Sequence, residues 1–188
     1  MFTVKEIAEA TGGKVSGPME GQVSGVSTDS RTATSGQLFV PLKGERFDGH
    51  DYLAELFDKG VSIAVVDEKR AADLPRHADV TLISVPDTLR ALGDLARSYR
   101  SRFSMPTVGI TGSNGKTTTK EMLAAILAAN GEGLKTSGNL NNLIGLPQMV
   151  FQLNESHKWA VFEMGMSEFG EIDRLAEIVA PQIGIITN

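Results

Sequence analysis

The residues with the clearest chemical potential form one run, Gly109-Ile110-Thr111-Gly112-Ser113-Asn114-Gly115-Lys116-Thr117-Thr118-Thr119. An apolar, strand-like stretch from Thr107 to Thr111 leads into the glycines, and a helical pattern from about Lys116 to Ala129 follows them. Glycines at such a junction let the backbone curl until successive N–H groups face one anion, and the helix N-terminus adds about half a positive charge. In that arrangement Gly112, Ser113, Asn114, Gly115, Lys116, Thr117 and Thr118 cradle the phosphates of a nucleotide. Lys116 faces the β and γ phosphates as the catalytic cation, and Thr117 offers its hydroxyl to Mg2+. The strict Walker spacing asks for glycine at 110, where this chain has isoleucine, with glycines at 109 and 112 instead. No G-x-G-x-x-G follows a strand, which argues against a nicotinamide site. Neither Asn-Lys-x-Asp nor Asp-x-x-Gly occurs, which argues against a GTPase, while a kinase of small molecules stays open.

A second candidate is Glu163, which ends the apolar run Trp159-Ala160-Val161-Phe162. If that run is a strand beside the one feeding the glycine loop, its terminal carboxylate projects from the same sheet edge and can hold Mg2+ beside a triphosphate. The three histidines, His50, His77 and His157, lack zinc-site spacing; His77 and His157 read as surface or turn residues, while His50 belongs to the FDGH segment taken up below.

The elements that must position these groups differ between the two halves of the chain. Thr3 and Glu6 fit a capping box ahead of a short helix ended by Gly12-Gly13. Short β-rich runs follow at Val23 to Ser27, Gln37 to Leu42, Ser62 to Val66 and Thr81 to Val85, with a helix over Tyr52 to Lys59 stopped by Gly60. Residues 1–86 thus read as a small mixed α/β domain. Pro86-Asp87 opens a connecting helix within 87–104, apolar at Leu89, Leu92, Leu95, Ala96 and Tyr99. Over 105–188 the pattern alternates: strand, the loop and its helix, an Asn-rich stretch, helix (about Leu146 to Leu153), strand, helix (Glu171 to Val179) and strand (Ile183 to Thr187). Such alternation predicts a parallel sheet flanked by helices, hence an α/β protein whose second domain has three strands. A strand ending at Thr187 leaves the sheet where ligands of open α/β sheets bind, so the sheet is expected to continue beyond Asn188.

Composition sets outer bounds. The chain has 188 residues, 41% of them hydrophobic, and a net charge of −5, which disfavours nucleic acid and anionic membrane surfaces as partners. It has no cysteine, which excludes disulfides, thiolate zinc sites and a cysteine nucleophile together. No run reaches the ~18 apolar residues of a membrane span, and the first residues do not form a signal peptide, so the expectation is a soluble, cytoplasmic protein.

The runs TGSNGKTTTKE, GNLNNLIGLP and EMGMSEFGEI together resemble the Mur ligase family of peptidoglycan synthesis. Over residues 1–86, the runs STDSR, GQLFVPLKGERFDGHDY and AVVDE are similar to the uridine-binding N-terminal domain of that family. The family writes its phosphate loop around T-G-x-N-G-K-T, which accounts for the shifted glycine. The resemblance implies an ATP- and Mg2+-dependent ligase, monomeric, that activates the terminal carboxylate of UDP-N-acetylmuramoyl-tripeptide as an acyl phosphate and joins it to the amine of D-Ala-D-Ala. It also implies that Ser30 and Arg31 meet the uridine diphosphate, that Phe47, Asp48 and His50 surround the uracil or diphosphate, and that Asn139 and Asn142 lie near the muramoyl substrate. Taken alone, the FDGH segment reads as a polar turn, and Asn139 and Asn142 read as turn and N-cap residues. Two alternatives are a sister ligase that adds the third amino acid and a binding module for a uridine-linked sugar without chemistry of its own. The family's metal-binding histidine, carbamylated lysine and C-terminal domain would lie beyond Asn188, so 1–188 alone is expected not to turn over.

Overall fold

The Thr3 hydroxyl accepts the Glu6 N–H at 3.3 Å, and a Glu6 carboxylate oxygen accepts the Thr3 N–H at 2.7 Å, so the expected capping box opens helix α1 (Val4–Thr11). Gly12 closes it in the left-handed region at φ 65°, which suits a residue without Cβ. The computed structural model describes residues 1–74 and 78–188, with two compact units, Met1–Leu95 and Ala96–Asn188. The division falls within the helix numbered α4 below. His77 lies outside the described residues.

In the first unit a five-stranded sheet runs in the order β2 (Lys14–Ser16), β7 (Thr81–Val85), β6 (Ile63–Asp67), β5 (Gln37–Phe39), β4 (Gly25–Ser27). Strands β4 to β7 are mutually parallel, and β2 joins the edge antiparallel to β7. The strand expected over Val23 to Ser27 divides at Ser24. Its first part, β3 (Gln22–Val23), pairs antiparallel with β1 (Phe2–Thr3), and β4 enters the main sheet. The cause is local, because the Ser24 N–H and hydroxyl both go to the Gly36 carbonyl, at 2.8 and 3.1 Å. Helix α2 (Leu53–Asp58) follows a 3₁₀ turn, Gly49–Tyr52, and packs Leu53, Leu56 and Phe57 on Phe39, Ala64 and Val66. A one-turn helix, α3 (Glu68–Ala71), follows β6. Helix α4 (Thr88–Arg100) begins with the Asp87 carboxylate accepting the Arg90 N–H at 2.9 Å.

The second unit is the expected parallel sheet, with four strands among the described residues rather than three. Their order is β11 (Ile183–Thr187), β8 (Thr107–Gly112), β10 (Ala160–Glu163), β9 (Leu134–Lys135), all parallel. Strand β9 has two residues, too few for an alternation to show in the sequence. Strand β10 is buried throughout, as a central strand covered on both faces must be. Ala160 and Phe162 face a core with Leu146, Met149 and Val150 of α6 (Gly145–Val150) and Leu175 and Ile178 of α7 (Glu171–Val179). Val161 faces the other way, onto Val108, Ile110 and Ala124 of α5 (Lys116–Leu127). Alternation along one strand therefore places α5 on one face and α6 and α7 on the other. All four strands run the same way, so their C-terminal ends share one edge.

Among the described residues, no helix is long and apolar enough to cross a membrane.

Candidate nucleotide site

Strand β8 leaves the sheet at Gly112, and four residues later the chain starts α5 at Lys116. Gly112 sits at φ 132°, and a Cβ there would lie 2.2 Å from the Thr187 carbonyl oxygen of β11, so no larger residue fits. Gly115 precedes the helix at φ 81° and offers no side-chain cap. The first N–H groups of α5 thus begin at a glycine, as the N-terminus of an anion-binding helix should. The Asn114 N–H bonds the Asn188 carbonyl.

Lys116 lies back across its own loop, its ammonium 2.6 Å from the Gly112 carbonyl and 3.5 Å from that of Ser113. Thr117 points to the neighbouring strand, and its hydroxyl donates to Glu163 Oε2 at 2.9 Å. Register explains the meeting: Glu163 is the Cα partner of Ile110, two residues before the loop begins to turn. Glu163 is 3% exposed although it bears a carboxylate. Its second oxygen accepts from Asn141 Nδ2 at 2.9 Å, and its N–H donates to the Thr136 hydroxyl at 2.8 Å. A buried cation completes the cluster. Lys120 donates to the Thr136 carbonyl at 2.8 Å and stands 3.9 Å from Glu163 Oε2 and 3.3 Å from Glu121 Oε1. Glu121 is held below the usual glutamate range by hydrogen bonds from Lys135 and then Lys120.

Two hard oxygen donors side by side, a threonine hydroxyl and a buried carboxylate, suit Mg2+, which takes one or two protein ligands and fills its shell with water and phosphate oxygens. No group of three or more His, Cys, Asp or Glu side chains among the described residues forms a separate metal cage.

The Asn-rich stretch is divided in its duties. Asn141 reaches Glu163. Asn142 accepts the Ile144 and Gly145 N–H groups at 3.1 and 2.8 Å, as a turn and cap residue does, and Asn139 is exposed. Thr136, Asn141 and Lys120 were not singled out by sequence reasoning. Their signal was the motif runs that contain them, but spacing does not say which of several neighbouring polar residues turns inward.

In the first unit the Arg31 guanidinium grips Asp29 of the same Asp-Ser-Arg run through two bonds, at 2.9 and 2.6 Å, and stays largely exposed, with Ser30 partly buried between them. Hydrogen bonds from the Arg31 side chain and N–H bring the Asp29 carboxyl down to about 2. His50 is buried within the 3₁₀ turn Gly49–Tyr52. Its Nδ1 lies 2.6 Å from Asp48 Oδ1, and its Nε2 accepts the Asp67 N–H at 3.0 Å, which makes Nδ1 the protonated nitrogen. Asp48 also receives Arg70 at 2.9 Å. Burial raises the Asp48 carboxyl, but the His50 N–H and ring and the Arg70 charge outweigh it and leave a net lowering. Phe47, beside this network, is 62% exposed over Gly44. His157 sits in a turn and accepts the Asn154 N–H at 3.2 Å.

A glycine loop joining a parallel strand to a helix, with lysine and threonine opening the helix and a carboxylate ending the adjacent strand, is the architecture of a P-loop α/β domain. Residues 110–188 match the model of the Mur ligase middle domain, and residues 22–100 match that of the Mur ligase family, catalytic domain. The chain belongs to the Mur ligase family. It is 45% identical over 188 residues to the UDP-N-acetylmuramoyl-tripeptide--D-alanyl-D-alanine ligase of Bacillus subtilis, covering 99% of this chain and 40% of that protein. Among solved structures it resembles MurF from Acinetobacter baumannii, with a TM-score of 0.88 and 39% identity over 98% of this chain and 40% of that one. It also resembles the MurF ligase of Thermotoga maritima in complex with ADP, with a TM-score of 0.74 and 34% identity over 83% of this chain and 35% of that one. The chain thus spans about 40% of the length of the curated relatives it matches.

Proposed function

We propose that this chain carries the nucleotide-binding and UDP-substrate-binding portions of a ligase that joins D-Ala-D-Ala to UDP-N-acetylmuramoyl-tripeptide at the expense of ATP. The observation that carries the reading is the Thr117–Glu163 contact beside the glycine loop, in a chain 45% identical to the Bacillus subtilis enzyme over 188 residues. The reaction needs a carboxylate made into an acyl donor. The tripeptide carboxylate takes the γ-phosphoryl group of ATP as the bond to ADP breaks, and the D-Ala-D-Ala amine then displaces phosphate and forms the amide.

Within 105–188, Gly112, Ser113, Gly115 and Thr118 direct main-chain N–H groups at the phosphates, Asn114 does so on releasing the Asn188 carbonyl, and Lys116 neutralises charge on the group being transferred. Lys116 reaches it by releasing the Gly112 carbonyl. Thr117 and Glu163 would hold Mg2+, which supplies Lewis-acid charge at the phosphates. Within 1–86, Arg31 and Ser30 bind diphosphate and Phe47 offers its ring to the uracil. Asp48 and His50 serve chiefly by fixing the turn that presents Phe47. Asn139 faces the muramoyl substrate, and Asn142 shapes the loop around it. The protein acts as a cytoplasmic monomer.

The test is calorimetric titration of the folded chain with MgATP and, separately, with UDP-N-acetylmuramoyl-tripeptide, using UDP-glucose as control. Binding of both with discrimination against UDP-glucose supports the reading. A folded chain that binds neither overturns it.

A further inference from the structure

Lys120 is 2% exposed, an uncommon place for an ammonium group, and the phosphate loop does not account for it. Thr117 and Lys120 are three residues apart on α5, so both side chains leave the same face of the helix. That face meets the end of β10. The ammonium donates to the Thr136 carbonyl at 2.8 Å, and the hydroxyl of the same threonine accepts the Glu163 N–H at 2.8 Å. Lys120 thus fixes the residue that fixes the Glu163 backbone. Its charge also stands 3.9 Å from Glu163 Oε2, too far for a direct hydrogen bond but close enough to offset a buried negative charge. Both carboxylate oxygens remain engaged elsewhere, one by Thr117 and the other by Asn141.

We infer that Lys120 is a positioning residue for the Mg2+-dependent step of nucleotide binding: from behind Glu163 it aims that carboxylate at Thr117 without occupying the oxygens a metal ion needs. The inference rests on the assignment of Thr117 and Glu163 as metal ligands. A lysine in this place also differs in kind from Lys116. Lys116 is partly exposed and lies on its own loop, free to move to phosphate, whereas Lys120 is enclosed, held by the Thr136 carbonyl on the strand side and by Glu121 of its own helix at 3.3 Å.

The experiment measures ATP affinity of the full chain with Mg2+ and again with EDTA, and reads the ratio of the two. Lys120→Gln keeps a donor for the Thr136 carbonyl and removes the charge. The expected result is a ratio reduced at least fivefold, with affinity in EDTA changed less than twofold. A purely structural lysine would lower both affinities together, and that outcome overturns the inference. Glu163→Gln is measured alongside. If it leaves the ratio intact, the metal assignment itself fails. If Glu163→Gln abolishes the ratio and Lys120→Gln does not, the failure belongs to Lys120 alone. In the double variant, Lys120→Gln should add less than twofold to the effect of Glu163→Gln, and a full additive effect overturns action through Glu163. Should Lys120→Gln not fold by circular dichroism, Lys120→Arg is read instead: a folded chain retaining the ratio supports the role of the charge, and one that loses it overturns it.

Discussion

Thr117 Oγ1 donates to Glu163 Oε2 at 2.9 Å, across 46 residues of sequence. The contact joins the first turn of α5 to the last residue of β10 and locks the glycine loop to the neighbouring strand. It exists because parallel strands bring their C-terminal ends to one edge and because the β8–β10 register sets Glu163 beside Ile110. A shift of one residue in that register would turn the carboxylate to the opposite face of the sheet.

Replacing Lys116 by alanine should weaken MgATP binding about 10- to 100-fold, the loss of about 1.5–3 kcal/mol expected for a hydrogen bond to a charged group. Affinity for the UDP-linked tripeptide should be unchanged. Calorimetry with the two ligands checks both, and unaltered nucleotide affinity in a folded chain would remove Lys116 from the phosphate site.

Arg31→Ala should lower affinity for the UDP-linked tripeptide and leave MgATP binding intact. It also carries a pH signature. The Asp29 carboxyl lies at about 2 rather than the ordinary 3.8, so its pairing contributes stability that is fully present above about 3.8 and is lost as pH falls through about 2. Urea midpoints measured across that window should fall more steeply for the parent chain than for Arg31→Ala. Equal slopes would show that the pair contributes nothing in solution.

His50→Ala should destabilise the chain by about 1–3 kcal/mol, because it removes a buried ring, leaves the partly buried Asp67 N–H without its acceptor and leaves Asp48 Oδ1 with only the backbone N–H of residue 50. Urea unfolding measures the loss. A cost below about 0.5 kcal/mol, the range of ordinary surface substitutions, would contradict the structural role of the ring.

Gly133→Ala offers an optical test of the sheet around the site. A Cβ at 133 would lie 2.1 Å from the Trp159 ring, whose Nε1 donates to the Gly131 carbonyl at 3.0 Å. Trp159 is the sole tryptophan of the chain, so its emission reports this place without interference. The variant should shift emission to the red and cost about 1–3 kcal/mol through overpacking. Unchanged emission would contradict the packing of the ring on this turn.

Features whose physics is local were legible along the chain. The Thr3–Glu6 capping box, the loop from Gly112 to Gly115 and the helix Glu171–Val179 all stand where pattern placed them, because each depends on residues within a few positions of one another. The parallel sheet was legible for the same reason, since alternation of strands and helices is a pattern along the chain. Partners across the fold were not. Nothing in the run Asn139-Leu140-Asn141-Asn142 says that the third residue reaches Glu163 while the fourth caps its own loop; strand register and the path of the chain after β9 decide it. Pattern could place Lys120 on a helix beside Thr117, but only packing α5 on β10 makes it a buried cation behind the carboxylate. His50 reads as a turn residue until β6 comes alongside to take its second nitrogen. Local backbone geometry is encoded within a turn or two of chain, whereas the direction of a polar side chain is settled by which distant group must not be left unpaired when water is excluded.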